Sequence, residues 1–247
     1  MFSAFARGFG YLLHGAVLLP RKGVRIHLIV PLLINIVLFV AGSWLLFSQL
    51  SGFVDSYTSG LSDWEWLAGL MFLIKVVIFT AAMTVVFIGV SMIALLVAAP
   101  FNAVLAKSVE KHLLGEFIDE NELSRSIMAQ IPHLLMEEVR KLIYFIIRAI
   151  PLLILFVIPV VNIAAPALWL LFGAWMLAIT YTAYPLENHE IPFKNQHVIV
   201  KQSRWATFGF GVAVLLVTMI PVVNLVVMPA AVAGATVLYT KELRPQL

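Results

Sequence analysis

The chain contains no cysteine, which removes disulfides, thiol nucleophiles and Cys-ligated zinc or iron–sulfur centres from consideration. Charge is scarce as well. Asp, Glu, Lys and Arg make up 12% of the 247 residues, where a soluble domain carries about 25%. A phosphate-cradling glycine loop, a Ser/His/Asp order and an H-E-x-x-H frame are all missing, so nothing marks an enzyme and no cofactor is called for. One stretch, QLSGFVDSYTSGLSDWEW at 49–66, has no Lys or Arg while carrying Asp55, Asp63 and Glu65. What remains is apolar: 62% of residues are hydrophobic and the mean hydropathy is +1.01, which places the chain in a bilayer. The net charge of +3 fits basic loops held at a cytoplasmic membrane face and gives no reason to invoke nucleic acid.

These runs predict an all-α integral membrane protein folded as one domain over residues 1–247. Phe2, Phe5, Phe9, Leu12, Ala16 and Leu19 recur at steps of three and four, predicting an amphipathic helix over 1–20 that lies in the interface and ends at Pro20. Two runs reach the about 20 apolar residues that a crossing requires. The first is 26–47, with His27 and Asn35 as its strongly polar members; the second is 67–101, interrupted by Lys75. Arg7, Arg21, Lys22 and Arg25 precede the first span without an acid among them, so the positive-inside rule puts both termini in the cytoplasm. The loop with Trp64 and Trp66 then lies outside. Residues 102–141 read as a cytoplasmic helical region, with a turn at Gly115 and the acidic cluster Asp119, Glu120 and Glu122.

The pentapeptide IPVVN occurs at Ile158–Asn162 and again at Ile220–Asn224, near the middle of the apolar regions 142–185 and 206–239. Proline strips a helix of a hydrogen bond, and Asn has groups to offer the carbonyls left free at a bend. Each region therefore reads as a proline-broken helical hairpin. Its halves of about 16 to 20 residues reach as little as ~24 Å, against a bilayer core of about 30 Å. Hairpins that penetrate part way fit that length; tight hairpins whose turns reach the far interface are the alternative.

Chemically, the most informative stretch is LPRKGVRIHLIVPLLIN. Gly23 allows a tight turn, and the amides of Gly23, Val24, Arg25 and Ile26 fall where the next helix starts. Free N–H groups and the positive dipole end attract phosphate, sulfate or carboxylate there. Arg25 adds a planar fork suited to a tetrahedral oxyanion. The competing reading of these basic residues is a topology signal in contact with lipid headgroups. Lys75 either snorkels or faces a pore, and Arg148 either snorkels to the surface or joins an internal network. Glu187, His189 and Glu190 in YPLENHEIPF invite a metal, but the loop has no metal-binding frame and reads as a structural turn.

Several of these stretches, in this order, resemble the CysZ-type bacterial sulfate permeases, a family related to the EI24-domain proteins. They are the PGxR-like turn at Lys22–Arg25 followed by PLLIN at 31–35, AAPFN at 98–102, ALWLLFGAWMLAITY at 167–181, YPLENHEIPF at 184–193 and TMIPVVNLVVMPAAVAGAT at 218–236. The resemblance covers nearly the whole chain. It implies sulfate uptake across the bacterial inner membrane for assimilation and cysteine biosynthesis, with sulfite and related oxyanions as further candidates. It also implies two long transmembrane helices, two partially penetrating hairpins and a homo-oligomer, dimer-based and extending up to a hexamer. The family's G-[LIV]-R-R turn implies sulfate binding at Gly23, Val24, Arg25 and Ile26, with Ile26 standing where a second Arg is frequent. Arg21, Lys22 and His27 are the candidates to supply that missing charge. An ionic network near the pathway is implied at Glu110, Lys111 and His112. The alternative to a permease is a non-transporting scaffold or membrane-shaping protein.

Overall fold

The computed structural model describes residues 1–21, 24, 33, 36–37, 40–42, 44, 48, 52, 68–116 and 120–244, and all the regular structure in them is helical. In chain order the helices are α1 (Phe2–Leu18), α2 (Ala68–Leu114), α3 (Glu120–Leu155), α4 (Ala165–Glu187), α5 (Phe193–Gln202), α6 (Arg204–Thr218) and α7 (Pro221–Leu238). A 3-10 turn, Val161–Ile163, precedes α4, and a π-helical turn, Tyr239–Leu243, follows α7. The helical positions Leu33, Ile36, Val37, Val40 and Trp44 belong to the run expected to cross first. Most of that run, the loop with Trp64 and Trp66, and the side chain of Lys75 lie outside the described residues.

The chain forms two units, one of Met1–Pro31 with Ala99–Leu247 and one of Leu32–Ala98. In the second, Leu33, Val37, Val40, Trp44, Leu73 and Val77 are exposed, and Thr84 returns its hydroxyl to the Thr80 carbonyl at 2.8 Å. Helix α2 passes from one unit to the other one residue before Pro100. It has 47 residues, with Pro100 inside it.

In the larger unit, α1 packs on α6 and α7, and α4 packs on the same pair. The buried core holds Tyr11, Leu12, Tyr184, Phe210, Val214, Leu238 and Tyr239. Small residues set the spacing. A Cβ placed on Gly8 would lie 1.8 Å from the Ala206 carbonyl oxygen, and one on Gly211 would lie 1.9 Å from that of Ala174. Among apolar helices in lipid, such close backbone approach supplies the packing that the hydrophobic effect supplies in water. The protein-facing side of α1 is therefore Gly8, Tyr11, Leu12, Gly15 and Leu18. The apolar stripe read from the sequence splits: Leu12 and Leu19 are buried, whereas Phe2 and Phe9 are exposed.

The two IPVVN copies interrupt their helices differently. After Leu155 the first makes a turn over 156–164, closed by the Asn162 amide on the Ile158 carbonyl at 3.0 Å. Val160 sits there at φ 71, a strained place for a β-branched residue. The bond expected from the Asn side chain is thus made by its backbone. The second copy breaks the chain only at Met219 and Ile220. Pro221 holds Ile220 extended (φ −94, ψ 108) and occupies the first turn of α7, where its missing N–H costs nothing. Helix α4 has 23 residues and, among the described residues, is the one helix long and apolar enough to cross a membrane. At about 1.5 Å per residue it reaches ~34 Å, longer than the half-depth arm expected.

Candidate functional site

Beyond α1 the chain tightens through successive short bonds: the Leu19 amide to the Ala16 carbonyl (3.4 Å), Arg21 to Leu18 (3.1 Å) and Val24 to Arg21 (3.1 Å). Val24 is fully buried, so its side chain anchors this turn and its N–H closes it. Arg21 is exposed. Gly23, Arg25 and Ile26, the other members of the expected anion turn, lie outside the described residues, as do Lys22 and His27.

The C-terminal part of α2 buries Asn102, Leu105, Ala106, Val109 and Glu110 along one face. The Glu110 carboxylate receives His189 Nε2 at 2.9 and 3.0 Å, with an Arg244 nitrogen 4.0 Å away. The His189 ring stacks on Tyr239, with centroids 5.3 Å apart. Lys111 is half-buried and His112 exposed. Consecutive residues on a helix point about 100° apart, so the run Glu110-Lys111-His112 does not converge, and Glu110 draws its partners from 79 residues away and beyond. Arg148 lies with its guanidinium 4.2 Å over the Tyr144 ring, apart from this cluster.

A second, more deeply buried cluster joins residues that the sequence presents only as cytoplasmic charge. Lys141 is 4% exposed and bonds Glu138 at 2.7 Å. Its ammonium also lies 3.3 Å from Glu187, an ion pair without hydrogen-bond direction, and 4.6 Å over the Tyr184 ring. Glu137, fully buried, pairs with Arg140 and accepts the Phe193 amide at 3.1 Å. That bond caps α5, whose own N-cap is Pro192 with no side-chain cap. Asn188 adds a bond to the Ala103 carbonyl at 2.9 Å. Together these tie α2, α3, α4 and α5 around the YPLENHEIPF stretch. Glu187 turns to Lys141 and His189 to Glu110, so this acid and this histidine diverge instead of converging on an ion.

The network's polar atoms are not all matched. Asn102 Nδ2, the Tyr184 hydroxyl, Asn188 Oδ1 and Gln196 Oε1 are buried without a hydrogen-bond partner. Sequence spacing does reveal part of this cluster: Glu137–Arg140 and Glu138–Lys141 stand at i, i+3, a helical pairing distance. The burial of Glu137, Glu138 and Lys141 carries no sequence signal. A further ion pair ties the termini, Arg7 Nε to Glu242 at 2.9 Å, and the Tyr11 hydroxyl donates to the same oxygen at 2.9 Å. Burial first, and then the Glu242 carboxylate, push the Tyr11 hydroxyl up to about 12.

The family profile described as sulfate transporter CysZ/etoposide-induced protein 2.4 matches residues 6–229. A sulfate transporter CysZ of Pseudomonas fluorescens (strain Pf0-1) is 43% identical over 232 residues, covering 94% of this chain and 92% of the relative. One from Vibrio parahaemolyticus is 37% identical over 241 residues, with 97% and 96% covered. One from Salmonella typhimurium is 40% identical over 234 residues, with 94% and 91% covered.

Proposed function

The chain belongs to the sulfate transporter CysZ/etoposide-induced protein 2.4 family, and on that premise we propose how it moves its solute. It is a sulfate transporter of a membrane. The carrying observation is identity of 37–43% to sulfate transporters over nearly the full length of both partners. We place it in the bacterial inner membrane with both termini in the cytoplasm, taking up sulfate for assimilation into cysteine. In this reading 26–47 and 67–101 span the bilayer, α1 lies in the interface, and the regions 142–185 and 206–239 enter as proline-broken hairpins. Exposed apolar side chains support the placement: Ile147, Ile150 and Ile154 on α3, and Val157, Val160 and Ile163 at the hairpin tip. Water would penalise that surface, whereas lipid does not.

Sulfate is proposed to exchange part of its hydration shell for the turn at Gly23, Val24, Arg25 and Ile26. Val24 closes the turn on Arg21, so the amides of Gly23, Arg25 and Ile26 and the Arg25 fork are the donors. A doubly charged oxyanion is matched by several N–H groups plus one guanidinium, and sulfite shares that chemistry. Two spans and two hairpins are too few to enclose a pore, so the route is assigned to a homo-oligomer.

Radiolabelled sulfate uptake into proteoliposomes tests both levels. Wild type takes up sulfate above empty vesicles, and Arg25→Ala lowers uptake about tenfold or more, the scale of a lost charge-assisted fork. Wild-type uptake equal to empty vesicles would leave a non-transporting scaffold as the reading. Normal uptake by Arg25→Ala would remove the turn from the mechanism.

A further inference from the structure

Against Ala4 and Arg7 of α1, the larger unit has a cavity of about 400 Å³ whose walls include Arg7, Ser203, Arg204, Trp205 and Glu242. Its charge is uneven. Glu242 is engaged by Arg7 and by the Tyr11 hydroxyl, both at 2.9 Å, so Arg204 supplies a positive charge that no wall residue cancels. The Arg7 bond uses Nε, leaving the rest of that planar fork, with its further N–H donors, in the same wall. Trp205 lines the cavity beside the Arg204 guanidinium, 5.7 Å from ring centroid to charge centre, and is 38% exposed.

Helix α1 has three faces. One packs on protein through Gly8, Tyr11 and Gly15; one exposes Phe2, Phe9, Leu13 and Val17; between them runs a polar stripe of Ser3, Arg7 and His14. A helix that exposes an apolar stripe beside a polar one lies with the first in acyl chains and the second at headgroup level. Arg7 of that polar stripe stands in the cavity wall.

We propose that this cavity binds the phosphate of an anionic phospholipid, held between the Arg7 and Arg204 forks with Trp205 against the glycerol and upper acyl region. A planar fork suits a phosphate, and an exposed indole beside it suits an amphiphile more than a free ion. The proposal rests on the interfacial placement of α1 and is independent of the sulfate turn.

Native mass spectrometry of the full-length protein, with phosphatidylglycerol and phosphatidylcholine added in turn, reads the outcome. Wild type retains phosphatidylglycerol in preference to phosphatidylcholine. Arg204→Gln weakens that retention about tenfold at an unchanged melting temperature, and Arg204→Lys, which keeps the charge but loses the fork, falls between. Equal retention of the two lipids, or wild-type retention by Arg204→Gln, would overturn the proposal. So would displacement of phosphatidylglycerol by millimolar sulfate, which would make the cavity a free-oxyanion site. Sulfate uptake by Arg204→Gln stays at the wild-type level, which separates failure here from failure of the transport reading.

Discussion

Replacing Gly8 by Ala separates two pictures of α1 by the sign of the effect. An isolated helix on a lipid surface gains up to about 1 kcal/mol from Gly→Ala, because alanine loses less backbone entropy. In the structure, however, the added Cβ would lie 1.8 Å from the Ala206 carbonyl oxygen and 2.6 Å from its carbon. Real contacts do not fall below 3.0 Å, so α1 and α6 must part by more than 1 Å. The obstacle is backbone inside a helix and cannot rotate away. Overpacking of this kind costs roughly 1–3 kcal/mol, and here the upper end applies, leaving a net loss of about 2 kcal/mol after the propensity gain. For a chain of this size that lowers the melting temperature by about 4–8 °C. Gly10, two residues along the same helix, has nothing within 4 Å of where an added methyl would stand. Gly10→Ala is therefore expected to raise the melting temperature by about 2–4 °C. Thermal unfolding of the two variants in one detergent is the assay. If both gain stability, α1 does not pack on α6 as described, and the small-residue account of this unit is wrong.

Removing the Lys141 charge with Lys141→Met strands Glu138 and Glu187 in the interior and should cost about 3–5 kcal/mol. The triple variant with Glu138→Gln and Glu187→Gln should recover most of that loss in the same melting assay; no recovery would mean the cluster's charges are not what is at stake. His197 is held below the ordinary histidine range by burial, with Arg148 and Lys201 adding to the effect. Its ring lies against Tyr144 and Phe193, centroids 4.4 and 4.6 Å away. A depressed histidine contributes stability that is full above its ordinary value of about 6.5 and is lost as pH falls through the lower folded value. The melting-temperature advantage of wild type over His197→Phe should accordingly shrink between pH 7.5 and pH 5. A constant advantage would refute the assignment.

The all-helical class, the long apolar runs and the two breaks at IPVVN were legible in composition and periodicity, because long uninterrupted apolar runs satisfy their backbone in lipid as helices, whereas barrel strands alternate apolar and polar residues. So was the turn at Gly115, whose φ of +70 suits glycine best. The pairing of side chains was not. Glu110, Lys111 and His112 adjoin in sequence, yet helical geometry sends them apart. The true partners of Glu110, His189 and Arg244, come from remote segments, and Arg148 goes to an aromatic ring. Nor could the string tell which side of α1 meets protein: hydrophobicity ranks Phe2 and Phe9 first, but close approach selects Gly8 and Gly15, whose value is the absence of a side chain. Sequence by itself determined what each segment is made of, and hence which runs are helical and apolar enough for a bilayer. Only the tertiary structure decided which faces touch and which charges are buried, because those depend on neighbours that the linear order does not place together.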